Sequence, residues 1–583
     1  MGRSRRVYGC IESIERFMLR SALVCAATLS VAGSVEAAEI TVRLDGTGDY
    51  ADLPLAIDAA NDGDTVTVGP GEYSVSSTLR FNPQGGDPAK DLRVVSEEGP
   101  ERTSIVADPL ARDDLVVVTF DAGETEESLL RGFTISGGEH GGIHIDASSP
   151  QIENCHVRDN LHPRILIGSS IAAGISCVNE ARPVVSQCLI ADNWNLGQGG
   201  AVAARDSQPT FVDCELRGNL ADSSAGYYFF QSDAEVIGGL VTDNDNRHGG
   251  AAFDCAESAP NVRGVRFVRN QVEQAYSAPS TVRIQRGSAP IFEGCEFAEN
   301  FALAIAVSRS NPEFRGCLIA HNAAGGVEVI FGDSSPIFDH CTIVGNARFQ
   351  RRRGGITFLG TLLTVRNSIL WDNEGADIEL RGDARADVTY TCMEKNTDFA
   401  GEGNFSAHPR FEGWANTSEV YVDRERLVSG DGSSASPFRD LAGMIDEVGY
   451  SLALADDSPC LGAGSDGSTI GADTGRAAEV GVDILDVHIA SGAYAPLPAS
   501  YVLHGMSLLG AGSEETRFTS YVYGLSSGAE LRGVTVFVNE FFPFFGASVV
   551  VSEGEQDVRL RDVAIRGTEE NDEFASCLDI RAG

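Results

Sequence analysis

The chain has 583 residues, of which 42% are hydrophobic and 22% are charged, so it can bury a large core. This composition excludes global disorder and a simple coiled coil. Its 84 acidic residues outnumber its 44 basic residues and give a formal charge of −40, which disfavours nucleic acid and anionic membranes as partners.

The first 38 residues are typical of an export signal with a short N-terminal extension. A basic start around Arg3 is followed, from Met18, by a short apolar stretch, and cleavage after Ala37 or Ala38 fits the preference for small residues. No later segment contains 18 uninterrupted apolar residues, so we expect no transmembrane segment in the mature chain. The predicted location is outside the cell, either secreted or displayed on the cell surface.

A motif of the form Pro-x-apolar-x-x-Cys-x-apolar-x-x-Asn recurs through the middle of the chain. Its copies end at Asn160, Asn193, Asn219, Asn244, Asn270, Asn300, Asn322, Asn346 and Asn373. Each period contains short alternating apolar segments separated by Gly, Ser, Asn and Asp, which are strand and turn signals without helical periodicity. A repeat of this length and pattern predicts the coils of a parallel β-solenoid.

Stacking of such coils would bring equivalent residues into columns along the solenoid axis. One column contains Cys155, Cys188, Cys214, Cys295, Cys317 and Cys341. Other coils place Phe, Gly, Val or Ser at this position, so we interpret it as interior packing, with metal or redox chemistry as the alternative. The Asn column is predicted to form a structural ladder of side-chain amides rather than a catalytic row.

These coils resemble the right-handed parallel β-helix proteins of the pectin-lyase-like superfamily over roughly residues 39–412. The opening segment from Val42 to Tyr73 is also similar to that family, in which a helix, here around Leu53 and Ile57, caps the first coil. The resemblance implies an all-β, right-handed parallel β-helix. It also implies that activity on acidic polysaccharides should be considered.

The region from about Tyr421 repeats the opening of the chain and predicts a second β-helix. The sequence from Asp52 to Asp58 matches that from Asp440 to Asp446. We therefore expect residues 1–38 as signal and extension, 39–412 as the first β-helix, and 413–480 as closing segment and linker with a second opening motif. Residues 481–583 would then begin a second β-helix that is incomplete, as expected for a fragment of a longer protein.

The resemblance implies several possible catalytic arrangements, and this chain matches some of them better than others. The motifs of polygalacturonase-like hydrolases occur in the wrong order, and an esterase-like segment from Gly325 to Phe338 lacks its partners. A pectate-lyase-like reaction is the better enzymatic candidate. It requires Ca²⁺ held by carboxylates and an Arg or Lys that removes the proton next to a uronate.

Strand alternation places one set of polar and aromatic residues on the outer face of consecutive coils, before each motif proline. The set is His144, Asp146, Arg205, Tyr228, Phe230, Asp254, Arg283 and Gln285. In a sugar-binding groove, His144, Tyr228, Phe230 and Gln285 would contact the ligand, with Tyr228 as a stacking platform. Asp254 would be a cation ligand, and Arg283 or Arg205 the base. The alternative is an ordinary solvated β-face.

Asp159 and Asp192 precede the Asn column in successive coils and form a separate candidate site. A shared Ca²⁺ would offset the repulsion between the two carboxylates, whereas solvated side chains that splay apart are the alternative.

From these observations we expect a secreted or surface-displayed β-helix protein that binds extended carbohydrate, either a polysaccharide or a cell-surface glycan. A Ca²⁺-dependent polyuronate lyase and a non-catalytic adhesin or cell-envelope spacer are the alternatives, and the sequence does not establish a catalytic site. We expect no nucleic-acid partner.

Overall fold

The computed structural model describes residues 37–82, 90–110, 115–163, 171–247, 249–272, 280–346, 354–395, 399–414, 419–422 and 450–473, together with short strands between 485 and 580. The predicted export signal lies outside the described residues. Within them, no helix is long and apolar enough to span a bilayer.

The described chain is a parallel β-solenoid in which each coil adds one strand to each of three sheets, named A, B and C in the order in which the chain visits them. Sheet A has fourteen strands: Glu39–Val42, Thr65–Val68, Arg93–Ser96, Leu129–Arg131, Gln151–Glu153, Val184–Ser186, Thr210–Val212, Glu235–Ile237, Asn261–Arg263, Ile291–Glu293, Glu313–Arg315, Ile337–Asp339, Leu362–Arg366 and Arg385–Thr389.

Sheet B has thirteen strands: Gly71–Val75, Thr103–Ala107, Thr134–Ser136, His156–Arg158, Leu189–Ala191, Glu215–Arg217, Leu240–Thr242, Arg266–Val268, Glu296–Ala298, Leu318–Ala320, Thr342–Val344, Ile369–Trp371 and Cys392–Met393. Sheet C has twelve strands: Leu79–Arg80, Val118–Phe120, Ile143–Asp146, Ile175–Val178, Val202–Arg205, Tyr227–Phe230, Gly250–Ala256, Ser280–Gln285, Leu303–Ser308, Val327–Phe331, Ile356–Phe358 and Ile378–Leu380.

Between sheets B and C, five successive coils add a short strand to a fourth sheet, D. Its strands are Leu161–His162, Trp194–Gln198, Leu220–Ser223, Asp245–Asn246 and Gln271–Val272. The segments that carry sheet D therefore lead directly into the strands of sheet C.

The helix Leu53–Ala59 precedes the first complete coil, as the sequence predicted. Asp52 is its N-cap and accepts a hydrogen bond from the backbone N–H of Leu55 at 2.9 Å, while Leu53 and Ile57 are buried. An N-cap of this kind satisfies an otherwise unpaired helix donor, which helps to define where the helix begins.

The Asn column forms the predicted ladder in the solenoid interior. Each side-chain Nδ2 donates to Oδ1 of the Asn in the next coil, from Asn160 to Asn373, at distances between 2.9 and 3.2 Å. Because these amides are buried, the bonds satisfy polar groups that would otherwise destabilise the fold.

The Cys column is an interior packing position, as predicted. All six of its cysteines are buried, and each thiol lies 3.4–3.7 Å from a backbone carbonyl of the preceding coil. Beside this column, the rings of Phe292, Phe314 and Phe338 stack at centroid distances of 5.2 and 4.9 Å. The core is therefore continuous along the axis.

Glycines just before the strands of sheet C allow neighbouring coils to approach closely. A Cβ at Gly174 or Gly226 would overlap the backbone carbonyl of Ala201 or Ala252 in the next coil. Glycine is needed here because any side chain would push the coils apart.

The segment after the last coil packs back onto the solenoid. An antiparallel pair, Phe411–Trp414 with Tyr450–Leu454, places Leu452 in an apolar cluster with Val268, Ala298 and Val344 on the outer side of sheet B. Burial of these apolar side chains fixes the closing segment against the coils.

The C-terminal region contains more parallel strands. One sheet has the order Glu419–Val422, Leu485–Ile489, Met506–Gly510, Glu530–Phe537, Thr516–Phe518 and Gly492–Tyr494, with Arg559–Arg566 also paired to Glu530–Phe537. A smaller sheet contains Val522–Leu525, Val549–Val551 and Leu578–Ile580. The second β-helix and the domain boundaries remain predictions.

Candidate functional site

The eight residues predicted on the outer face all lie on sheet C, where they alternate with core residues such as Ile143, Phe229 and Ile284. Two columns result from the parallel register. One contains His144, Tyr228, Asp254 and Arg283, and the other contains Asp146, Arg205, Phe230 and Gln285. We call these eight residues the sheet C face.

Asp254 and Arg283 form the centre of the sheet C face as a buried ion pair. The Asp254 side chain is fully buried, whereas that of Arg283 is 29% exposed. Asp254 accepts hydrogen bonds from Arg283 Nε at 2.7 Å, Ser224 Oγ at 3.1 Å and Gln285 Nε2 at 3.1 Å. These donors compensate for the loss of water around the carboxylate.

The charge state of Arg283 follows from this pairing. Burial acts to lower the pKa of Arg283, but attraction to Asp254 and the hydrogen bond between them outweigh it, so the pKa is raised. A guanidinium with a raised pKa holds its protons more tightly, which does not favour the base role predicted for Arg283. That role remains a prediction.

The segments before sheet C cover the ion pair and explain why an outward-facing Asp is buried. Ser223 Oγ accepts a hydrogen bond from Arg283 Nη2 at 3.1 Å, and a Cβ on Gly249 would lie 2.6 Å from Arg283 Cζ. Sequence alternation did not identify Ser223, Ser224 or Gly249. The available signal was the run of small residues from Ser223 to Gly226, which precedes the strand Tyr227–Phe230.

Arg205 and Phe230 occupy adjacent strands beside the ion pair. Arg205 Cζ lies 5.0 Å from the centroid of the Phe230 ring, a cation–π contact, and Arg205 Nε lies 3.5 Å from Asp206 Oδ2. The side chain of Arg205 is 36% exposed. This pair therefore offers a partly open aromatic surface with nearby N–H donors.

Tyr228 is less accessible than predicted for a stacking platform. Only 6% of it is exposed, and it packs with Ala172 and Ala203 next to Phe230. Burial, followed by the negative charge of Asp254, raises the pKa of Tyr228. Its role in ligand contact remains a prediction, but Phe230 has the more exposed ring.

His144 and Asp146 lie at the far end of the sheet C face. Two strands separate them from Tyr228, and five strand spacings separate His144 from Arg283, which amounts to about 24 Å. Burial lowers the pKa of His144, with a smaller opposing effect from Asp146. The face is thus long rather than a compact pocket.

Two of the carboxylates proposed as Ca²⁺ ligands, Asp159 and Asp192, occupy equivalent turns of adjacent coils, whereas Asp254 lies on sheet C. Asp159 and Asp192 are exposed at turns with positive φ, and Arg158 Nε donates to Asp159 Oδ2 at 2.7 Å. Asp254 is already engaged by Arg283. Within the described residues, no group of three His, Cys, Asp or Glu side chains is placed to hold a metal.

Ca²⁺ generally takes six to eight oxygen ligands, so this donor set does not fit a Ca²⁺ centre. The Ca²⁺ roles of Asp159, Asp192 and Asp254 remain predictions without support from this geometry. We derive no reaction step through the ion.

Comparison with known proteins bears on the fold. The family described as "Right handed beta helix region" matches residues 123–279 and 269–401. No curated protein sequence matches the chain.

Several solved structures are similar to this chain at low identity. Pectate lyase Pel9A is 13% identical, with 77% of this chain and 96% of that chain covered at a TM-score of 0.33. The catalytic unit of the GH87 alpha-1,3-glucanase from Streptomyces thermodiastaticus strain HF3-3 is 14% identical, with coverages of 66% and 70% and a TM-score of 0.34. ORF18 of Geobacillus virus E2 is 12% identical, with a TM-score of 0.33, and the match covers 61% of each chain, less than two thirds of the viral protein.

The fold assignment depends on the family match and on the strand order, and not on these structures. Parallel sheets that gain one strand per coil, an interior Asn ladder and the match over residues 123–401 agree with one another. The described coils therefore form a right-handed parallel β-helix, the fold that the matching family describes.

Proposed function

We propose that the sheet C face binds an extended polysaccharide or cell-surface glycan. The observation that carries this proposal is the pairing of Arg205 with Phe230 directly beside the buried Asp254–Arg283 pair. The Phe230 ring supplies an apolar surface for a sugar ring, while Arg205 and Gln285 supply N–H donors for hydroxyl groups.

The rigidity of the site favours binding. Arg283 and Gln285 are held by hydrogen bonds to Asp254, so fewer side-chain rotations are lost when a ligand binds. The length of the face, about 24 Å, suits a chain-like ligand better than a single sugar.

Binding is tested with a panel of soluble neutral glucans and polyuronates, by affinity electrophoresis followed by calorimetry. For the glycan that binds, Phe230→Ala and Arg205→Ala should each raise the dissociation constant about tenfold. This corresponds to a loss of about 1.4 kcal/mol of binding free energy. Leu55→Ala is the matched control, because Leu55 is 57% exposed on the N-terminal helix and lies outside the sheet C face. Equal binding by all four proteins would contradict the proposal.

The same samples test the two alternatives. A polyuronate lyase would produce unsaturated products that absorb in the ultraviolet, and Arg283→Ala, Asp254→Ala and Arg205→Ala should then reduce their formation. Product formation in the presence of a chelator would show that the reaction does not require Ca²⁺. Absence of both binding and products from a folded sample would favour an adhesin or envelope spacer.

We also propose that the protein is exported, on the basis of its N-terminal 38 residues. Fractionation of producing cells should place the mature protein outside the cytoplasm, with an N-terminus near Glu39. Retention of the complete N-terminus in the cytoplasm would contradict this.

A further inference from the structure

A second polar cluster lies at the turn between sheets A and B, where none of the sheet C face residues is found. His340 occupies this turn with φ +53°. The closing segment docks beside it: the N–H of Ser465 donates to Asn367 Oδ1 at 2.9 Å, and the N–H of Gly471 donates to Asn367 O at 2.8 Å. Asn367 is thereby brought together with residues of the closing segment that lie 98 or more positions later in the chain.

Ser468, His340 and Asp339 form a continuous hydrogen-bonded chain in this cluster. Ser468 Oγ lies 3.0 Å from His340 Nε2, and His340 Nδ1 lies 2.9 Å from Asp339 Oδ1. Asp339 is itself held by Asn367 Nδ2 and Arg366 Nη2, each at 3.0 Å. Each member is thus oriented by the next, which is the arrangement that activates a serine hydroxyl.

The tautomer of His340 follows from the charge on Asp339. Burial acts to raise the pKa of Asp339, but hydrogen bonds from Asn367 and Arg366 and the charge of Arg366 outweigh it, so the pKa is lowered. An ionised carboxylate can only accept, so Nδ1 of His340 carries the proton that it donates to Asp339. In the neutral ring, Nε2 is then the acceptor for the hydroxyl proton of Ser468.

We propose that Ser468, His340 and Asp339 form a serine hydrolase site for small neutral esters, with Ser468 as nucleophile, His340 as base and Asp339 as its orienting carboxylate.

The site is open to solvent. The side chain of His340 is 33% exposed, Ser468 is half-buried, and Asp466 and Gly467 beside it are exposed. A Cβ on Gly464 would lie 2.6 Å from Ser468 Oγ, so this glycine allows the tight turn that presents the hydroxyl. An ester carbonyl can therefore approach Ser468.

The charges around Ser468 define the substrate class. Its backbone N–H donates to Asp466 Oδ1 at 2.9 Å, and its hydroxyl, which has a single proton, can donate either to Asp466, which lowers the pKa of that carboxyl, or to His340 Nε2 for catalysis. A carboxylate next to the nucleophile repels anionic acyl groups, as does the net charge of −40. Neutral esters are therefore favoured over uronates.

The reaction balances without an added cofactor. Ser468 Oγ attacks the ester carbonyl carbon while its proton moves to His340 Nε2, and Asp339 stabilises the resulting imidazolium. That proton passes to the leaving alkoxide, which departs as the alcohol and leaves an acyl ester on Ser468. Water then attacks this ester through the same base, which releases the carboxylic acid and restores the hydroxyl.

The test uses a fluorophosphonate probe and p-nitrophenyl acetate on the purified protein. We expect one probe molecule per chain, attached to Ser468 in the peptide mass spectrum, and hydrolysis of the neutral ester. Ser468→Ala should abolish both signals. Ser465→Ala is the matched control, because it removes a hydroxyl from the same turn and leaves the backbone bond to Asn367 in place.

His340→Gln separates catalysis from simple docking of the closing segment. Gln187 has φ +52° at the same turn of an earlier coil, so glutamine fits this backbone. It should lower the labelling rate at least about 100-fold, the usual contribution of a general base, with circular dichroism unchanged. A folded wild-type protein that takes up no probe, labelling that persists in Ser468→Ala, or an unchanged rate in His340→Gln would each overturn the proposal.

Discussion

Replacing either member of the buried Asp254–Arg283 pair should destabilise the protein unequally. Arg283→Ala leaves a fully buried carboxylate with Ser224 and Gln285 as its remaining partners, whereas Asp254→Ala leaves a guanidinium that is 29% exposed. Breaking a buried pair costs about 3–5 kcal/mol, and we expect Arg283→Ala to fall in that range. Asp254→Ala should cost about 1–2 kcal/mol less, because water reaches part of the remaining charge.

The double variant should cost less than the sum of the two single variants, since neither charge is left unpaired. We expect a coupling free energy of about 2 kcal/mol in a double-mutant cycle measured by urea unfolding at pH 7.

The exposed pair Arg315–Glu313, with atoms 2.7 Å apart and the arginine side chain 48% exposed, is the matched control. Its coupling should stay below about 1 kcal/mol. A coupling for Asp254–Arg283 no larger than this, or a greater loss for Asp254→Ala than for Arg283→Ala, would show that the buried charge is not what makes the pair stabilising.

Three further predictions concern the solenoid interior. Burial raises the pKa of Asp377 to about 7 in the folded protein, above the unfolded value. The free energy of unfolding should therefore fall by up to about 4 kcal/mol as pH rises from about 4 to 7. Asp377→Asn should remove this pH dependence in urea unfolding, and an unchanged pH dependence would contradict its assignment to Asp377. Asn270→Ala removes hydrogen bonds to Val241 O at 2.8 Å and to Asn300 Oδ1 at 3.2 Å. It should lower the free energy of unfolding by about 2–4 kcal/mol. A loss below about 1 kcal/mol would argue against a structural ladder. The Cys column should react with Ellman's reagent only after denaturation, because all six thiols are buried and the reagent cannot reach them. Rapid reaction of the native protein at these positions would show that the column is open.

The sequence predicts the features that repeat along the axis. The Asn ladder, the buried Cys column and the outward set on sheet C all follow from a single register, because each coil places equivalent residues at the same point of the cross-section. The helix at Leu53–Ala59 is expected from the resemblance of the opening segment to the β-helix family.

Features that depend on non-repeating segments are not predictable in this way. Asp254 and Arg283 lie in the predicted outward column, but the burial of Asp254 also depends on Ser224, which lies in the variable segment before a sheet C strand. His340 and Ser468 meet only because the closing segment folds back over a turn 128 residues earlier. Such contacts arise from tertiary packing that leaves no period in the sequence.

The most direct test of the sheet C face as a glycan site is hydroxyl-radical footprinting, with and without the glycan that binds most tightly. We predict protection in Tyr227–Phe230 and Ser280–Gln285 on sheet C, and unchanged labelling of Glu313–Arg315 on sheet A. Protection confined to sheets A or B, with sheet C unaffected by a bound glycan, would contradict it.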